Sequence, residues 1–112
     1  MGLRLDLVLR KLDGSRAGHR KTVGAEMAHH GNYLRDFTPW DEQDSAKIKS
    51  YFHSARKFGI WAPDDDQIDL NRPNRLVTDY LTNVGTQLQN GHFKEAKQYA
   101  KESKARFSAS KR

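Results

Sequence analysis

The chain has 112 residues, 20 Lys and Arg against 14 Asp and Glu, a formal net charge of +6 and no cysteine. Absence of cysteine excludes a disulfide framework, a thiolate zinc site and a cysteine nucleophile, and no apolar run approaches the roughly 18 residues of a membrane-spanning helix. The length suits one domain with a thin core, and an aromatic content of 10% sets the chain apart from a disordered basic polymer.

Charge is sorted along the chain. Arg4 to Lys21 carries six basic and two acidic residues, Thr22 to Asn90 seven and ten, and Gly91 to Arg112 seven and two. Two basic ends therefore flank an acidic middle, the electrostatic footprint of an anionic partner.

At the N-terminus, Leu3, Leu5, Leu7 and Leu9 alternate as a strand would, while Leu5, Val8, Leu9 and Leu12 fit a helix that stops at Asp13-Gly14. Leucine's propensity, and the lack of a partner strand other than Gln67 to Leu70, tilt 3–12 toward helix. The opening Met1-Gly2-Leu3-Arg4-Leu5-Asp6-Leu7 resembles the first strand of cloacin-type colicin immunity proteins, which implies a strand here. The aromatic-rich continuation and acidic character of that family are missing. Arg4 and Asp6 exclude a secretory apolar core in this stretch, so a cytoplasmic address is expected.

Residues 13–21 read as a basic Gly/Ser loop, and 22–36 as a weaker helix bearing Val23, Met27, Tyr33 and Leu34, interrupted by Gly31. Thr38-Pro39-Trp40-Asp41-Glu42 has the marks of a helix start: a capping residue, a proline at the first position and two acids in the first turn. Ile48, Tyr51, Phe52, Ala55 and Phe58 then recur on one face, and Arg56, Lys57 and Gly59 signal the end. Trp61-Ala62-Pro63 and the acids after it form a loop turning back to the core. The next helix starts near Asn71-Arg72-Pro73 and carries Leu76, Val77, Tyr80, Leu81, Val84 and Leu88, a deeply packed face set against Ile48, Phe52 and Ala55.

Asn90-Gly91 ends that helix, and the last begins at Phe93 with Ala96, Ala100 and Phe107 in line. A link this short predicts an antiparallel αα-hairpin. The segment Asn90-Gly91-His92-Phe93-Lys94-Glu95-Ala96 resembles the inter-helix turn of a tetratricopeptide repeat. Val84 and Gln87 depart from that pattern and there is no second copy, so the resemblance implies shared hairpin geometry and not a repeat array.

Four lysines give the clearest functional pattern. On a helical wheel with Phe93 at zero, Lys104, Lys97, Lys101 and Lys94 fall at about 20°, 40°, 80° and 100°, with Glu95 and Glu102 nearly opposite. Such a stripe can neutralise a row of phosphates, and it equally fits a solvated helix face. Arg10, Lys11, Arg16, His19, Arg20 and Lys21 supply a second basic cluster. Glu26, His29 and His30 form only half of a di-iron motif, and Asp64, Asp65, Asp66 and Asp69 lack the glycine and terminal glutamate of an EF-hand loop. No nucleophile elbow or phosphate-cradling glycine motif occurs. Trp40 and Trp61 read as lids on the core, and Tyr99 as an exposed aromatic.

The sequence thus leads to a mainly α protein: one domain of four to five helices over residues 1–107, with a C-terminal αα-hairpin and a basic tail at 108–112. It reads as a non-enzymatic binding protein with no cofactor or metal. The expected partner is nucleic acid, held through backbone charge contacts by Lys94, Lys97, Lys101, Lys104 and Arg106, with Arg16, Arg20 and Lys21 in support. The alternative is a protein-binding module, such as an inhibitor or immunity protein that blocks an acidic partner.

Overall fold

No proline falls between Met1 and Thr38. Nothing in that stretch forces the backbone out of a helix, and extending a helix costs far less than nucleating a second one. In the computed structural model, which describes residues 2–36, 40–65 and 74–110, with side chains at 17–35, 40–65 and 74–109, this segment is one continuous helix, α1 (Gly2–Asp36). The loop expected at 13–21 is therefore helical, and so is 3–12. The strand implied by the likeness to colicin immunity proteins does not form. At 35 residues α1 is about 52 Å long, most of the molecule's 58 Å longest dimension.

Three shorter helices follow, α2 (Glu42–Lys57), α3 (Arg75–Gln89) and α4 (Phe93–Ser110), and there is no strand among the described residues. The start of α2 differs from the expected one. Asp41 is the cap, in a reciprocal capping box: its carboxylate accepts from the Asp44 N–H at 2.8 Å, and Asp44 accepts from the Asp41 N–H at 3.0 Å. Trp40 precedes the helix and is buried, its indole N–H donating to the Leu34 carbonyl. Thr38 and Pro39 lie outside the described residues. Asn74 caps α3 by accepting from the Leu76 and Val77 N–H groups, and Asn71 to Pro73, like the alternative strand at Gln67 to Leu70, also lie outside them.

Two helices end alike. Gly59 and Gly91 have φ of 80° and 79°, the left-handed conformation that an L side chain resists. The Ile60 N–H then reaches the Ala55 carbonyl, and the His92 N–H the Gln87 carbonyl, which satisfies the last turns of α2 and α3 in the Schellman pattern. The second of these turns sends the chain straight into α4. The result is the C-terminal helical hairpin, in which Ala96, Ala100, Ser103 and Phe107 form the buried face of α4.

The inner face of α3 is as the spacing predicts, with Val77, Tyr80, Leu81, Val84 and Leu88 all buried and Leu76 half-buried. Its closest partner is not α2 but α1. A Cβ at Gly24 would meet the Leu88 Cβ at 2.5 Å, the Gln89 backbone nitrogen at 2.6 Å and the Gly85 carbonyl at 2.7 Å. One at Gly85 would meet the Ala28 nitrogen at 2.6 Å, and one at Gly31 the Leu81 Cβ at 2.9 Å. The two backbones touch along a small-residue seam of Gly24, Ala28 and Gly31 against Gly85, Thr82 and Thr78. Contact numbers fall on α1 as they rise on α3, so the helices are antiparallel.

Helix α2 joins through side chains. Phe52 meets Tyr80 edge-to-face at 5.5 Å, and Tyr51 meets His30 in the same way at 5.9 Å. The loop after α2 returns to the core as expected: Ile60, Ala62 and Pro63 are buried, and the Tyr80 hydroxyl donates to the Trp61 carbonyl at 2.5 Å. Burial chiefly, tempered by Arg56, pushes the Tyr80 phenol well above its ordinary value. Trp61 leans on Phe107, which ties this loop to α4. Arg35 pairs with Asp79 and also donates to the Thr82 hydroxyl, and His30 shares a hydrogen bond with Asp44 at 3.1 Å. No helix among the described residues is long and apolar enough to cross a membrane.

Alanine substitution along α1 and α3 should separate packing from propensity. Gly18 has nothing within 4 Å of a would-be Cβ, so Gly18→Ala should raise stability by about 0.5–1 kcal/mol. Gly85→Ala must push backbone against backbone and should cost about 3 kcal/mol or more despite the same gain in propensity. Urea titration of the two variants measures both signs.

A second expectation concerns pH. Burial by itself would raise the Asp44 carboxyl, but the hydrogen bond from the Asp41 N–H, then those from His30 and Asp41 and the His30 charge, hold it below its ordinary value of 3.8. Stability from a depressed carboxylate is present above the unfolded value and lost as pH falls through the folded one. The stability gap between the protein and Asp44→Asn should therefore be constant from pH 7 to 5 and shrink below about pH 4, read by thermal melts across that range.

Candidate functional site

The glycine seam decides what lies at its end. Gly24 sits against Leu88 and Gln89, so one turn earlier on α1 the chain reaches the turn between α3 and α4. There Lys21 lays its side chain over Gly91, its Cε 3.2 Å from where a Cβ would stand. Arg20 places its guanidinium carbon 4.9 Å from the centroid of the Phe93 ring, the first residue of α4. Lys97, one turn further along α4, holds its Nζ 5.5 Å from the same centroid.

Two basic clusters more than seventy residues apart in sequence thus meet on one aromatic ring. Cations over a ring face are held by its quadrupole at about 0.5–1 kcal/mol each in an exposed setting. Through their shared ring the Arg20 and Lys97 charges lie within about 10 Å of each other. Like charges at that distance repel by ~0.4 kcal/mol in bulk water and ~1.7 kcal/mol at an effective dielectric near 20. The acids that might relieve this are used elsewhere: Asp79 pairs with Arg35, Asp65 faces Arg56 at 3.7 Å, and Asp44 binds His30. Arg20, Lys21, Lys94, Lys97, Lys101 and Lys104 have no carboxylate partner among the described residues.

Arg20 also borders two grooves. One is lined by Ala17, Arg20, Lys21, Leu88, Gly91 and Phe93, and the other by His19, Arg20, Lys57 and Phe58. His19 meets Phe58 edge-to-face at 5.7 Å. Lys57 is the residue that sequence reasoning missed as a surface member, since it reads only as a basic signal at the end of α2. No spacing rule links it to Arg20, because the approach of α2 to α1 is purely tertiary.

The structure gathers Arg20, Lys21 and Lys97 at one place, with Lys94, Lys101 and Lys104 exposed along α4 beside them. Arg106 is exposed too, but at about 220° on the wheel it lies across α4 from the lysines, on the side of Glu95 and Glu102. Arg16 belongs to α1, and its side chain lies outside the described residues. Elsewhere, Glu26 and His29 are exposed while His30 is taken up by Asp44. Among the described residues no three His, Asp or Glu side chains are placed to hold a metal ion. Trp40 and Trp61 pack on the core as expected, and Tyr99 is exposed beside Glu95, Gln98 and Glu102.

No family model matches the chain, and no curated protein or solved structure matches it either.

If Phe93 organises this surface, Phe93→Leu keeps the apolar volume and loses the ring. The upfield ring-current shift of the Lys97 side-chain protons in NMR spectra should vanish, while stability falls by no more than about 1 kcal/mol.

Proposed function

We propose that the protein binds nucleic acid through the sugar-phosphate backbone, on a surface that runs from Arg20 and Lys21 on α1 across the α3–α4 turn to the lysine stripe of α4. The observation that carries this reading is the convergence of Arg20 and Lys97 on Phe93 with no acid between them. A solvated helix face accounts for lysines on α4 alone. It does not account for a second helix bringing arginine and lysine to the same spot.

The chemistry favours charge contacts over base readout. The ring that could stack a base, Phe93, already has two of the protein's own cations against it, and Phe58 has His19. The aromatics therefore orient cations instead of offering open stacking platforms. A surface of this kind recognises phosphate spacing and shape, with little preference for sequence.

Binding should then weaken steeply with salt, with log Kd near-linear in log salt concentration. The double variant Lys97→Glu/Lys101→Glu should lower that slope by about two, at roughly 0.9 per phosphate contact on duplex DNA. Its thermal stability should stay within about 0.5 kcal/mol of the parent, because both side chains are exposed. Fluorescence anisotropy with a labelled duplex in increasing salt makes the measurement. An unchanged slope, or a stoichiometric complex with an acidic protein in place of nucleic acid, would overturn the reading.

A further inference from the structure

The basic surface is not uniform. At one point it has walls, a floor and a preset cation. The groove at the α3–α4 turn is lined by Ala17, Leu88 and Phe93 on the apolar side and by Arg20 and Lys21 on the charged side, with Gly91 at its base and no acid in the lining. We infer that this groove is a discrete phosphate seat, in which Arg20, Lys21 and Lys97 together hold the oxygens of one phosphate group.

Three features distinguish it from the open lysine stripe. Arg20 is half-buried, and its guanidinium is oriented by the Phe93 ring before any ligand arrives, so less side-chain freedom is lost when its fork meets two oxygens. Gly91 has no side chain, and the Lys21 stem lies across the turn in the space one would fill, which brings its ammonium to the groove. Apolar walls on one side thin the water around the charges, which strengthens each contact with an anion. Helix α4 begins at Phe93, so the positive end of its dipole adds to the same field. An anion here also relieves the unscreened repulsion between Arg20 and Lys97.

The seat rests on the nucleic-acid reading only for what carries the phosphate. A backbone phosphodiester and a free phosphate present the same oxygens, and the test separates them. Amide spectra of the full chain are recorded during titration with inorganic phosphate, against sodium chloride at matched ionic strength, and a labelled duplex is titrated in parallel. The expected result is saturable shifts confined to the Arg20 side chain and to Lys21, Gly91 and Phe93, beyond those from chloride. Arg20→Gln should abolish them, and Arg20→Lys, which keeps the charge and loses the fork, should weaken phosphate by roughly tenfold. Lys104→Gln should leave them in place. The same spectra show whether each variant is folded.

Shifts spread evenly over the lysines, shifts centred on Lys57 and Phe58, or no difference from chloride would overturn the seat. If the duplex binds while phosphate is not localised, the seat fails and the nucleic-acid reading stands. If phosphate is localised while the duplex does not bind, the seat stands and that reading fails.

Discussion

Contact between the backbones of α1 and α3 is the constraint on which the remaining structure depends. Gly24 and Gly31 on one helix and Gly85 on the other leave no room for a single carbon, and the atoms they would strike are mostly backbone or Cβ atoms that cannot swing aside. Glycine in a helix costs about 1 kcal/mol relative to alanine, and here close approach along the seam offsets that cost through dense packing. The same contact sets the axial register of the pair. Once Gly31 lies on Leu81 and Gly24 on Leu88, Lys21 must lie on Gly91 and Arg20 beside Phe93. The charged surface is therefore a consequence of a packing seam that contains no charge.

Pairing of charges follows a division of labour. The acidic middle of the chain does not fold back on the basic ends. Its carboxylates act locally or hold helices together: Asp41 and Asp44 cap α2, Asp44 also binds His30 on α1, and Asp79 on α3 binds Arg35 on α1. Arg56 is spent on the Pro63 carbonyl and on Asp65, at the loop whose Trp61 covers Tyr80 and Phe107. With those acids committed, the cations around the α3–α4 turn keep their full field. Exposed ion pairs add little to stability, so leaving these cations unpaired costs the fold little.

Much of this architecture was legible from residue order. Helical periodicity in 42–57, 75–89 and 93–107, the glycines that stop α2 and α3, and the short link that makes a hairpin are all local, because caps and turns involve residues within six positions of one another. The lysine stripe of α4 was legible for the same reason. The misreadings were local rules applied where a longer-range term prevailed. Gly14 and Gly18 looked like a loop, yet the helix passes through them, since isolated glycines weaken a helix without ending it. Gly31 looked like an interruption and is instead a contact point with α3.

By itself, then, the sequence determined the helical class, the faces that are buried, the C-terminal hairpin and the existence of two basic clusters, because each depends on spacing along one element. Only the tertiary structure decided that α1 and not α2 is the close partner of α3, that Lys57 borders the same surface, and that Arg20 and Lys97 share the ring of Phe93. Those facts depend on which helix can approach which most closely, and that is set by the absence of side chains at Gly24, Gly31 and Gly85. A hydrophobic pattern records what a helix buries. It does not record how near another backbone can come.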